Sequence, residues 1–180
     1  MRLTAADSAV AELEIPYPPL PVIMHSTVIM HVAAAVADHA AASRLALLVL
    51  VRRGGYAAGL AEDGTLLSHA VGNRYVQGRT AAGGWSQHRF ARRRTGQAAA
   101  LAGSAAEAVL KVASTASPEV MVVGGDRLLV DEVLGDRRLA TVAALPRSPL
   151  LAVRDPRLAV LREVAERCRS VRVRLTQPLP

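Results

Sequence analysis

The chain has 180 residues, enough for one compact domain with little over for a second. Its single cysteine, Cys168, excludes an internal disulfide and a cysteine-based zinc site. Net charge is +7 and almost wholly arginine, since Lys111 is the only lysine, so the placement of the arginines bears on the choice of partner.

Residues 1–14 are mixed and mildly acidic, with no apolar core of the kind a secretion signal carries. The longest apolar stretch, near 28–36, is broken by His31 and ended by Asp38, too short to span a bilayer. A soluble, cytoplasmic protein with no membrane partner is expected. The proline-rich run 15–21 predicts an extended connector, and the Ala-rich run 22–43 a helix. That helix holds His25, His31 and His39, whose spacings do not put all three on one face, so no metal site is expected.

Residues 45–51 are continuously apolar and predict a buried central strand. Arg52-Arg53-Gly54-Gly55 turns into a second strand over 56–60, and Glu62-Asp63-Gly64 is a hairpin turn into a third over 65–70, which 71–77 extends or follows with another. A loop is expected from Gly78 to about Ser86, and a helix over 97–114. Residues 120–123 predict a short buried strand, Gly124-Gly125 a turn, and Asp126 the cap of a helix ending near Gly135. Residues 141–145 suggest another short strand, and Pro146 and Pro149 bracket a loop. Asp155-Pro156 reads as an N-cap with a first-turn proline, ahead of a helix lined by Leu158, Leu161, Ala165 and Cys168. The alternation of 171–175 suits an edge strand or ordered tail. A strand meander followed by alternating helix and strand predicts an α/β fold, a mixed sheet flanked by helices of the RNase H-like kind.

Residues 71–97 concentrate the unusual features. They hold Arg74, Arg79, Arg89, Arg92, Arg93 and Arg94, Tyr75, and the only Trp and Phe, Trp85 and Phe90. No Asp or Glu occurs between Asp63 and Glu107. A basic, aromatic, glycine-punctuated segment reads as a nucleic-acid surface. The plainer alternative is a solvated helix start with Trp85 and Phe90 anchoring the loop. Arg89 and Arg93, four apart, are the best pair for phosphate contact if the segment is helical. Gln87 cannot serve as a general base, because an amide does not titrate near neutral pH. It can hold a water, and its backbone N–H can bind an oxyanion. Gly83 and Gly84 would let the chain approach a reacting ester closely.

The run from Tyr75 to Arg94, with Gly83-Gly84-Trp85-Ser86-Gln87 inside it, closely resembles the actinobacterial Vms-like release-factor family. That family is related to the central, peptide-releasing domain of eukaryotic and archaeal class I release factors. Val-Arg-Arg-Gly-Gly-Tyr at 51–56, Gly-Gly-Asp at 124–126 and the run opening at Asp155-Pro156 support the resemblance. It implies a central domain over 45–170, with 1–44 a divergent N-terminal segment and 171–180 a C-terminal strand or tail. The family signature, a glycine, two variable residues and a glutamine, falls on Gly84, Trp85, Ser86 and Gln87. The implied activity is stop-codon-independent hydrolysis of peptidyl-tRNA on stalled large ribosomal subunits. The catalytic residues would be Gln87, Gly84 and Gly83, and the RNA contacts Arg79, Arg89, Arg92, Arg93, Arg94 and Trp85. No cofactor, metal or DNA is expected. A tRNA 3′-end endonuclease using the same loop and a non-catalytic RNA- or ribosome-binding module are the competing functions.

Overall fold

The structure, a computed structural model, describes residues 1–5, 8–17, 29–73 and 86–176, with the backbone alone at 29–30 and 86–94. Its centre is a four-stranded mixed sheet of order β5-β4-β3-β6. β3 (Ala46–Arg52), β4 (Gly55–Glu62) and β5 (Thr65–Asn73) form the expected antiparallel meander. Asp63 and Gly64 both take positive φ, the two-residue turn geometry that suits the twist of a hairpin. β6 (Val120–Gly125) then lies parallel to β3 on its other side. Residues 147 and 151 make parallel bridges to Met121 and Gly124, marking a fifth position beyond β6.

Every residue of β3 except Arg52 is buried, because helices cover both faces of the sheet. One face gathers Leu47, Val49, Val51, Leu60 and Met121 under α2 (Ser86–Ala113) and α3 (Arg127–Leu134). The other gathers Leu48, Leu50, Ala57 and Val122 under α5 (Leu158–Arg167). Gly59 keeps α5 close: an added Cβ would sit 2.7 Å from Leu66 Cδ1 and 3.0 Å from Leu161 Cδ2. This is the α/β class expected, with sheet residues on alternate faces feeding two cores.

Three local expectations change. The short strand at 141–145 is instead a 3-10 turn over Arg137–Leu139 followed by α4 (Ala140–Ala143). Apolar character alone does not separate a short helix from a strand. Asp155 is not an N-cap: α5 is capped by Arg157 with no side-chain bond, and Pro156 is buried ahead of the helix. The helix expected from 97 begins at Ser86. The helix expected over 22–43 is met by α1 (Ile29–Ala41), with 22–28 outside the described residues.

Two strands had no signal in the sequence. β1 (Arg2–Thr4) and β2 (Val10–Glu14) pair antiparallel, and β2 pairs with β7 (Arg172–Thr176) to form a second, three-stranded sheet. Glu12 faces Arg174 at 3.2 Å and Glu14 faces Arg172 at 2.9 Å across that pairing. Tyr17, from the proline-rich run, is buried against the α5 core, with its hydroxyl 2.9 Å from Cys168 Sγ. The rest of that run, 18–21, and His25 lie outside the described residues. No helix of the described residues is long and apolar enough to cross a membrane.

Candidate functional site

Strand directions gather the site at one edge of the main sheet. β3, β5 and β6 all end there: Arg52 pairs with Gly55, Gly55 with Asn73, and Val51 with Gly125. β5 ends there at Asn73, and the stretch 74–85 precedes α2 in sequence. Arg74, Arg79, Gly83, Gly84 and Trp85 lie on that stretch, outside the described residues.

Among the described side chains of α2, Leu101, Ala102, Ala105, Ala106, Val109 and Val112 are buried and Ala98 packs against the same core. At the far edge of the sheet the chain after α2 enters β6, where Glu119 N–H donates to Leu45 O at 2.9 Å. At about 1.5 Å per residue, the backbone of α2 runs about 18 Å from Ser86 to Ala98. Thr95 is exposed, and a Cβ added to Gly96 meets nothing within 4 Å.

Gln87 is therefore the second residue of a helix, where a loop was expected. Backbone amides in the first turn of a helix lack intrahelical acceptors, and the helix dipole adds partial positive charge at such an end. The first turn holds no acid, and positions 89, 92, 93 and 94 follow on the same helical backbone. The helix start weighed from sequence is met in the backbone, while Trp85 and the side chains of 86–94 lie outside the described residues. Glycines and arginines masked it, since neither makes the apolar period by which helices are found.

A cleft of about 500 Å³ opens at the same edge, lined by Arg52, Arg53, Gly54, Gly125, Asp126, Ala152, Val153 and Asp155. Gly125 has φ +107°, and a Cβ there would collide with the Val51 carbonyl. That conformation turns the chain so that Asp126 N–H donates to Val51 O at 2.8 Å and Gly125 N–H to Leu151 O at 2.9 Å. Asp126 then caps α3, its Oδ1 accepting from Leu128 N–H at 3.1 Å, as expected of it. Arg52 donates to Val153 O at 2.9 Å, and Arg53 Nε is 4.0 Å from Asp126. Asp155 faces the β3–β4 turn, its carboxylate 3.6 Å from where a Gly54 side chain would begin.

The sequence reading treated Arg52 and Arg53 as turn residues and Asp155 as a cap. The available signal was positional: polar and glycine residues directly after buried strands, at the carboxyl ends where open α/β sheets bind ligands. Cys168 is a core residue, as expected. Burial pushes its thiol up, and Sγ donates to Ala165 O at 3.1 Å.

Residues 43–174 match the family described as Actinobacteria/chloroflexi VLRF1 release factor. No curated protein matches the chain.

Proposed function

Since the chain belongs to the Actinobacteria/chloroflexi VLRF1 release factors, with a release-factor-type role at the ribosome, we propose that it is a peptidyl-tRNA hydrolase. Nascent peptide is freed from tRNA on stalled large subunits without a stop codon. The observation that supports this most is that Gln87 lies in the first turn of α2, where a helix start offers backbone N–H donors. An ester needs such donors when it is attacked. Water adds to the acyl carbon, and the carbonyl oxygen takes up negative charge that backbone N–H groups at a helix start can hold. The bond to the ribose oxygen of the terminal nucleotide then breaks, that oxygen takes a proton, and the peptide leaves as an acid.

Gln87 positions the water, because its amide neither titrates nor attacks. Gly83 and Gly84 let the chain approach the ester without a side chain in the way. Arg79, Arg89, Arg92, Arg93 and Arg94 hold phosphates of the RNA, and Trp85 stacks on a base.

The test is release of peptide from large subunits carrying peptidyl-tRNA. Gln87→Ala and Gly84→Val are each expected to lower the rate by about 10²-fold, the scale of a misplaced reactant, with subunit binding retained. Undiminished release by both variants refutes the assignment. A tRNA product shortened at its 3′ end would replace ester hydrolysis with phosphodiester cleavage.

A further inference from the structure

Three segments with no part in the release step meet in one cleft at the edge of the sheet where β5 ends. They are the β3–β4 turn, the β6–α3 turn and the approach to α5. Their polar groups differ in kind. Arg52 and Arg53 present only donors: Arg52 has no acidic partner among the described residues, and Arg53 makes one long ion pair, 4.0 Å to Asp126, while staying 61% exposed. Asp155 presents only acceptors and has no ion-pair partner among the described residues. Arg127 and Arg157, both exposed, extend the positive charge from the first residue of α3 and the residue before α5. A purely acidic partner would meet repulsion from Asp155. A ligand with alternating phosphate oxygens and hydroxyl groups satisfies both halves, and ribose-phosphate chain is such a ligand.

We propose that this cleft is a second seat for RNA backbone, with Arg52 and Arg53 on neighbouring phosphates and Asp155 accepting from a ribose 2′-hydroxyl. It deepens the release reading, on which it rests for the identity of the RNA. Because the cleft and the end of β5 at Asn73, where the loop begins in sequence, share one edge of the sheet, the seat holds the RNA that the loop acts on. It thereby governs binding and leaves the chemical step alone. Arginine suits the role through its planar fork, which grips two phosphate oxygens at once.

The experiment compares the full chain with Arg52→Gln/Arg53→Gln, Arg53→Gln, Asp155→Ala and Arg137→Gln. The last removes an exposed charge from the 3-10 turn, in which Arg138 pairs with Glu107 of α2 far from the cleft. Binding to deacylated tRNA is measured against salt, and peptide release against substrate concentration. The double variant is expected to bind about tenfold more weakly and to lower the salt slope by about 1.5, with KM raised and kcat kept. Arg53→Gln alone, which leaves the Arg52 bond to Val153 in place, should lower the slope by about half as much. An RNA hairpin with a 3′ overhang should bind better than its DNA counterpart, and Asp155→Ala should erase that preference.

A double variant with wild-type affinity and slope overturns the proposal. So does an equal loss from Arg137→Gln, which would reduce the effect to net charge, and so does an RNA preference that survives Asp155→Ala. If the wild-type chain frees no peptide while the slopes shift as expected, the hydrolase reading fails and the seat stands.

Discussion

Glycine separates the local determinants of this fold most sharply. Gly125 holds a positive φ that other residues rarely adopt, and any Cβ there runs into the Val51 carbonyl. Gly125→Ala is expected to cost about 3 kcal/mol in urea unfolding and to open the turn that carries Asp126. Gly96, in the exposed part of α2, has open space around it. Gly96→Ala should therefore add up to about 1 kcal/mol, by the gain in helix propensity. The two glycines look alike in sequence. Only the first was flagged there, because it follows an apolar strand and precedes a capping aspartate.

Among the elements, the C-terminal end of α1 shows how a segment far in sequence is held. His39 is buried, and its Nε2 lies 3.1 Å from both the Pro16 and the Tyr17 carbonyls. Carbonyls only accept, so Nε2 carries the proton, and Nδ1 is left to accept from Arg44 Nη2 at 3.2 Å. Arg44 also donates to His39 O at 2.6 Å and lies over the Tyr17 ring at 5.6 Å. His39→Ala should cost about 1–3 kcal/mol by orphaning buried carbonyls. Tyr17 shields Cys168, so the same variant should label at Cys168 with a thiol reagent about tenfold faster under native conditions. Labelling at the wild-type rate would show that the clasp does not hold Tyr17. None of this was legible beforehand. A histidine in an Ala-rich helix looks the same whether it meets solvent, a metal or two carbonyls.

For the molecule as a whole, acid is the condition to which the charge pattern points. Asp136 is held down to about 2, from an ordinary 3.8, first by the Arg138 side chain and then by the Arg138 backbone N–H. Glu163 is lowered by Arg154 and Arg167. A carboxylate lowered on folding contributes stability in full above its unfolded value, and loses it as pH falls through the folded one. Thermal unfolding should therefore be flat from neutral pH to about 5 and fall steeply below about 4. Asp136→Asn with Glu163→Gln should make that fall shallower, and an unchanged slope would exclude these carboxylates as its source. What the sequence determined by itself was the main sheet, the caps at Asp126 and Gly135, and the basic stretch around Gln87. Each is written in neighbouring residues, as an apolar run, a turn dipeptide or a local excess of one charge. Tertiary structure alone decided that β2 pairs with β7, that Arg52, Arg53 and Asp155 share a cleft, and that α2 starts at Ser86. The first two join residues tens to more than a hundred positions apart, a proximity that no local pattern encodes. The third is a helix whose opening residues, Ser86-Gln87-His88-Arg89, are polar and so lack the apolar period that would have announced it.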